Sequence, residues 1–280
     1  MFEKVLFPTD FSEVSMHALR ECIPQLFEVG AKKLYLVHIV DITATDIEAI
    51  ELMKIDEEEL NKLAEEIKAK GIDVEPIVKI GIPSLEIAEI AQENNVDLIV
   101  VPSKGENILR QMLLGSTASN LVRATKKPVL VVKYEWDEEE EKIRCLSNCK
   151  EIFKRPLIAL DFSECSEKVV NAAKRFEELI EEAVIIHVVD YGKPEDLEKN
   201  IENAKAKLAE FAKMFSVPVK TEVLTGIASH SILGTALAKD SSIIVMGKKG
   251  RSVLKDLLLG STAERVVRDS KLPVLLVPCE

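Results

Sequence analysis

Apolar residues fall into two alternating rhythms along this chain. Short, nearly unbroken apolar runs occur at about residues 4–8, 34–40, 74–79, 97–102 and 128–133. Between them, at about 13–28, 45–70, 84–94 and 116–126, apolar residues recur every three or four positions, the period of a helix with one buried face. Runs such as Ile99-Val100-Val101 suit strands covered on both faces. Strands separated by helices of about ten residues or more need right-handed crossovers, so the pattern predicts a parallel sheet between helical layers. Ser12 and Ser84 stand at predicted helix starts as N-caps, with Pro83 beside the second.

The rhythm then repeats, with strand-like runs near 156–160, 183–189, 217–224, 241–247 and 273–277. Asp10-Phe11-Ser12-Glu13 returns as Asp161-Phe162-Ser163-Glu164, an offset of 151 residues. Val37-His38-Ile39-Val40-Asp41 matches Ile186-His187-Val188-Val189-Asp190 at 149, and Gly81-Ile82 matches Gly226-Ile227 at 145. So long a period marks a duplicated domain rather than a solenoid repeat. The expected division is a domain over 1–134, an acidic linker over 135–151 and a second domain over 152–280. The linker contains Trp136-Asp137-Glu138-Glu139-Glu140-Glu141 and has room for a helical turn.

Composition narrows the partners. A chain of 280 residues holds two domains of common size, and a formal charge of -11 opposes binding to nucleic acid or an anionic membrane surface. No apolar run approaches the ~20 residues of a membrane helix. The first strand starts at once, with no secretory signal pattern, so the expected location is the cytoplasm. Five cysteines, Cys22, Cys145, Cys149, Cys165 and Cys279, are scattered and odd in number, and are expected to be reduced thiols. His38 and His187 lie in apolar strands and read as satisfied core histidines.

The candidate chemistry lies in a glycine string. Met246-Gly247-Lys248-Lys249-Gly250-Arg251 is followed, after nine residues counted from Arg251, by Gly260-Ser261-Thr262. Glycine lets backbone N–H groups approach a phosphate without an intervening Cβ. A helix beginning at Gly260-Ser261 offers free N–H groups and a positive dipole end, and the Ser261 and Thr262 hydroxyls can donate as well. Lys249 and Arg251 would neutralise charge. If strand 4 returns on the far side of strand 1, a crevice opens at their carboxyl ends, where Asp161, Gly247 and the His187-Val188 pair converge. The bland alternative is that Gly260-Ser261 only begins a helix and that Asp10 and Asp161 only cap the helices after them.

These residues resemble the universal stress protein family, in its ATP-binding branch with the pattern G-x2-G-x9-G-[S/T], met here by Gly247, Gly250, Gly260 and Ser261. The resemblance covers both halves. It implies an α/β fold of two tandem doubly wound domains, each a five-stranded parallel sheet of order 3-2-1-4-5 flanked by helices. It further implies that the last strands pair the two halves as a dimer within one chain, with a homodimer of chains also open.

Carried over residue by residue, the family's nucleotide site places Asp161 at ribose, Val188 at adenine and Met246 and Gly247 along the nucleoside. Gly250, Arg251, Gly260, Ser261 and Thr262 fall at the phosphates, where Lys249 would add its charge. The first-half matches are Thr9, Asp10, Ile39, Val101, Pro102, Gly105, Gly115, Ser116 and Thr117. Pro102 replaces the first glycine and Glu106 replaces Arg251, so both halves are expected to bind ATP or AMP, the second more tightly. Magnesium would accompany ATP. The output implied is a stress-response regulator; slow ATP hydrolysis and a ligand-free interaction module are the alternatives. Signatures of adenylating enzymes, the P-loop and the dinucleotide motif are missing from the sequence.

Overall fold

Val5, Leu6 and Phe7 are buried on both sides of the first strand, and the same holds for Leu98 to Val101 and Ile243 to Met246. Strands so covered belong in the middle of a sheet with helices on both faces. The computed structural model describes residues 1–42, 49–103, 115–137, 142–189, 196–250 and 259–279. The chain divides into two units, Met1–Lys150 and Glu151–Glu280.

The first unit runs β1 (Lys4–Pro8), α1 (Glu13–His17), a π-turn (Ala18–Cys22), α2 (Ile23–Glu28), β2 (Lys33–Asp41) and α3 (Ala49–Lys68). It continues with β3 (Asp73–Gly81), α4 (Pro83–Glu93), β4 (Leu98–Pro102), α5 (Ser116–Ala124), β5 (Val129–Val132), β6 (Tyr134–Asp137) and β7 (Lys142–Cys145). Its parallel strands lie in the order β3-β2-β1-β4-β5. The second unit holds β8 (Pro156–Ala159), α6 (Cys165–Lys174), a 3-10 turn (Glu177–Leu179), β9 (Ala183–Val189) and α7 (Leu197–Ala212). It ends with β10 (Val219–Thr225), α8 (Ala228–Ala238), β11 (Ile243–Gly247), α9 (Ser261–Asp269) and β12 (Val274–Val277). Its parallel order is β10-β9-β8-β11-β12. Each unit is thus doubly wound, with strand order 3-2-1-4-5, and its first and fourth strands meet at the reversal of winding. On α3, Leu60, Leu63, Ala64 and Ile67 form the buried stripe, at the i, i+3, i+4, i+7 spacing of one helical face.

Four local readings need correction. The helix expected over 13–28 is interrupted by the π-turn, which ends two residues before Pro24. Pro24 lacks an N–H and its ring crowds the carbonyl four residues back, so a wider turn relieves the clash. Ser84 is not an N-cap: Ile82 takes that position at φ -87° and ψ 114°, Pro83 opens α4, and Ser84 is buried in the first turn. Proline at the first helical position moves the extended cap residue back by one.

The acidic stretch forms no helix among its described residues, and only its last residues, 149–151, enter a hydrogen-bonded turn, which Lys154 N closes on the Glu151 carbonyl at 3.0 Å. Instead β6 and β7 pair antiparallel, with Tyr134 opposite Cys145 and Trp136 opposite Ile143. Tyr134 and Ile143 are buried on the inward face of this ribbon, the period-two pattern of a strand. Finally, four of the five cysteines are not reduced thiols. Cys22 bonds to Cys149 and Cys165 to Cys279, while Cys145 is a free thiol that burial pushes to a raised pKa. Large sequence separations, 127 and 114 residues, hid both pairs from the spacing of the cysteines.

Candidate functional site

In the second unit the chain leaves β8 through Leu160 and Asp161, at the crevice between β9 and β11. The next residue, Phe162, sits at φ +60°, and its first-unit counterpart Phe11 at φ +58°. A bulky residue in the left-handed region costs on the order of 1–3 kcal/mol and persists only where its surroundings impose it. The surroundings here are specific. Phe162 stacks on His187 at 4.1 Å and lies parallel to Phe211 at 6.3 Å, with Lys207 Nζ 5.2 Å from its centroid. His187 in turn donates its Nδ1–H to the Leu160 carbonyl at 2.7 Å.

The first unit repeats the device. Phe11 packs on His38 at 4.4 Å, and His38 Nδ1 donates to the Thr9 carbonyl at 2.9 Å. His38 Nε2 also lies 3.2 Å from Asp56 Oδ2. Both histidines are therefore satisfied, and both pin the turn that carries the aspartate. Sequence reading missed the two phenylalanines as site-forming residues, although their recurrence in matching segments was the available signal.

The aspartates differ in how firmly they are held. Asp161 Oδ1 accepts from Ser163 N at 3.0 Å, Ser163 Oγ at 2.6 Å and Ser166 Oγ at 3.3 Å. Its other oxygen, Oδ2, faces Gly250, where a β-carbon would stand only 3.0 Å away. Asp10 is exposed and accepts from Ser12 N at 3.0 Å. Ser15, the counterpart of Ser166, turns instead to Thr9 Oγ1 at 3.0 Å. Each aspartate thus organises the turn before the next helix, and Asp161 also confronts the glycine loop.

That loop is closed by a backbone clasp common to both units. Lys248 N donates to Val277 O at 2.9 Å, and Gly260 N donates to Lys248 O at 2.8 Å. In the first unit Ser103 N donates to Val132 O at 2.8 Å, and Gly115 N to Ser103 O at 3.1 Å. The clasp delivers the start of α9 or α5 to the end of the fourth strand. Gly260 and Gly115 are the N-cap residues, at ψ 146° and 149°, and neither helix has a side-chain cap. Uncapped first-turn amides and the dipole end favour an anion. Ser261, Ser116 and Thr117 are exposed there, and Thr262 is half-buried.

Gly247 has a further role. A β-carbon there would lie 2.8 Å from Cys165 Sγ, so the glycine makes room for the Cys165–Cys279 disulfide. In the first unit the matching positions are Val14 and Tyr134, and Pro102 ends β4 in register with Val132. The Gly247-to-Pro102 difference therefore has a packing reason independent of any ligand.

The remaining expected residues fall at the same carboxyl ends. Val188 is half-buried near the end of β9, Met246 is buried in β11, and Ile39 and Val101 are buried in β2 and β4. Lys249 is half-buried, with its carbonyl 3.7 Å from Cys279 Sγ. Arg251, Gly105 and Glu106 lie outside the described residues. Among the described residues there is no cluster of three metal-ligating side chains, and no helix is long and apolar enough to cross a membrane.

Comparison with known proteins agrees with this architecture. The model of the universal stress protein family matches residues 1–133 and again 153–278. The universal stress protein MJ0577 of Methanocaldococcus jannaschii is 35% identical over 156 residues, spanning 48% of this chain and 96% of its own length. A second protein of that organism, universal stress protein MJ0531, is 32% identical over 142 residues, covering 48% of this chain and 83% of its own. A solved universal stress protein from Archaeoglobus fulgidus has a TM-score of 0.71 at 28% identity, covering 99% of this chain and 97% of its own. Two consecutive matches of one family model, over segments that fold with one strand order, place this chain in the universal stress protein family as a tandem two-domain member.

Proposed function

We propose that the second unit binds an adenine nucleotide, ATP or AMP, and that this ligand state is the signal the protein carries. The meeting of Asp161 and Gly250 is the observation that supports this most. A carboxylate fixed through one oxygen turns the other toward a loop backbone bare of a β-carbon, beside an uncapped helix start. In this reading Asp161 accepts from ribose hydroxyls, while Val188 and Met246 flank the nucleoside. Gly250, Lys249, Arg251 and the first turn at Gly260, Ser261 and Thr262 serve the phosphates. Magnesium would enter with ATP, held by phosphate oxygens. The first unit binds more weakly in this reading, because Asp10 is exposed and has fewer described donors ordering it.

Calorimetric titration of ATP and AMP tests the proposal, together with chromatography of any ligand released from the purified protein by heat. Asp161→Ala should weaken the tighter site by about tenfold or more, the size of a lost charge-assisted hydrogen bond. Asp10→Ala should leave that site unchanged. Equal losses would refute the ranking, and no binding of either nucleotide would refute the reading. The second reading, a ligand-free interaction module, draws on Gly247, whose missing β-carbon is already accounted for by Cys165.

A further inference from the structure

We propose that Cys165 and Cys279 form a thiol–disulfide switch that sets the nucleotide affinity of the second unit, an inference that rests on the nucleotide reading above. The bond joins the start of α6, just after the Asp161 turn, to the chain beyond β12, and packs against the glycine loop. Cys165 opens α6 four residues after Asp161, and its N–H donates to Ser163 Oγ at 3.3 Å. Ser163 Oγ in turn donates to Asp161 Oδ1 at 2.6 Å, so a short relay runs from the cysteine backbone to the carboxylate. On its other side Cys165 Sγ occupies the space beside Gly247, and Cys279 Sγ lies 3.7 Å from the Lys249 carbonyl. The disulfide thus rests against both ends of the Gly247–Lys249 segment while tethering the turn that holds Asp161.

The two disulfides differ in access. Cys22 and Cys149 are each 1% exposed, whereas Cys279 is half-buried and its partner Cys165 is 4% exposed. An incoming thiolate therefore meets Cys279 Sγ first. It forms a mixed disulfide there and expels the Cys165 thiolate, which the N-terminus of the ten-residue α6 stabilises as a leaving group. A second thiol then displaces Cys279, and the small-molecule dithiol leaves oxidised. The pair has gained two electrons and two protons. Oxidation runs the reverse sequence, with a small-molecule disulfide accepting those electrons.

Reduction removes the tie between the Asp161 turn and the chain beyond β12, to whose end the glycine loop is bonded through Lys248 N and Val277 O, so the site must be ordered at the expense of binding energy. The oxidised protein should bind ATP more tightly than the reduced one, by roughly five- to a hundredfold, the usual range for coupled sites. Linkage requires the converse: bound ATP shifts the dithiol–disulfide equilibrium of this pair toward the disulfide by the same factor.

The test uses the full chain. Dithiothreitol is titrated until peptide mapping shows Cys165 and Cys279 reduced and Cys22–Cys149 intact, and ATP affinity is measured on either side of that point. Cys279→Ser, with Cys22–Cys149 untouched, should reproduce the reduced affinity. If the variant folds poorly, the equilibrium constant for reducing the pair in unmodified protein, with and without ATP, carries the test. Weaker binding after reduction and an ATP-dependent equilibrium support the switch. Equal affinities in both states, or an equilibrium indifferent to ATP, overturn the switch while leaving the nucleotide reading intact. No ATP binding in either state overturns the nucleotide reading and the switch with it.

Discussion

His187 and Leu160 are joined by a 2.7 Å hydrogen bond from the ring Nδ1–H to the carbonyl oxygen one residue before Asp161. The carbonyl can only accept, so the bond fixes the imidazole tautomer and turns the ring face toward Phe162 at 4.1 Å. One side chain from β9 thereby holds a strained residue and the exit of β8 together. His38 and Thr9 repeat the relationship in the first unit at 2.9 Å.

His187→Ala should cost about 1–3 kcal/mol of stability, the penalty for leaving a buried carbonyl unpaired, and it also removes the face against Phe162. Denaturant unfolding followed by circular dichroism reads this out. His187→Asn retains a donor near the Nδ1 position and should recover part of the loss. A change below about 0.5 kcal/mol in His187→Ala, the size of an ordinary surface substitution, would mean that the turn holds itself.

Much of this architecture was legible in the sequence, because both rhythms are strong. Apolar runs such as Ile243-Ile244-Val245, bounded by loops and rich in β-branched residues, suit only a buried strand, and the repeated aspartate, histidine and glycine segments put the two units in register. Illegible features depended on long-range contacts or backbone angles. Nothing near Cys22 announces Cys149, and the left-handed angle of Phe162 is imposed by His187 and α7 rather than by its own preference. The N-cap at Ile82 shows the local limit: serine is the better capping side chain, yet Pro83 decided the position.

Gly250→Ala and Gly234→Ala form an informative pair. At Gly250 a β-carbon would meet Asp161 Oδ2 at 3.0 Å, forcing the carboxylate or the loop aside. Gly234 is exposed in the interior of α8, and a β-carbon added there would meet nothing within 4 Å. Alanine at Gly234 should raise stability by about 0.5–1 kcal/mol through helix propensity and leave ATP binding unchanged. Alanine at Gly250 should weaken ATP by about tenfold, or ~1.4 kcal/mol, with little change in unfolding. Unchanged ATP affinity in Gly250→Ala would separate the loop from the ligand.

The Cys22–Cys149 bond ties the π-turn to the chain just beyond the β6–β7 ribbon across 127 residues of sequence. Replacing both cysteines with alanine should lower stability by about 2–5 kcal/mol, since the unfolded chain regains the entropy of a long loop. Nearby, Lys150 and Glu28 pair at 2.8 Å with more than half of each side chain exposed. Glu28→Ala should shift stability by less than about 1 kcal/mol, as exposed ion pairs contribute little. Thermal unfolding of the two variants, with and without reductant, checks the contrast. A disulfide variant as stable as its parent would mean that the burial of Tyr134 and Ile143 and the hydrogen bonds of the segment suffice to hold the ribbon.

Gly247 distinguishes a glycine kept for a ligand from one kept for packing. A β-carbon at this position would lie 2.8 Å from Cys165 Sγ, closer than real contacts allow. Gly247→Ala should therefore destabilise the oxidised protein by about 1–3 kcal/mol, the usual cost of overpacking a tight site. Cys165→Ala removes the opposing sulfur, so the double variant should lose much less than the sum of the single losses. A coupling of about 1 kcal/mol or more is expected for residues in direct contact. ATP titration of the double variant then isolates the ligand's share. If Gly247→Ala still weakens ATP once Cys165 is gone, the glycine serves the nucleotide site as well as the disulfide, directly or by leaving room for the Lys249 carbonyl, 3.1 Å from the added β-carbon. If affinity returns to that of Cys165→Ala alone, the first glycine of the string is a packing residue.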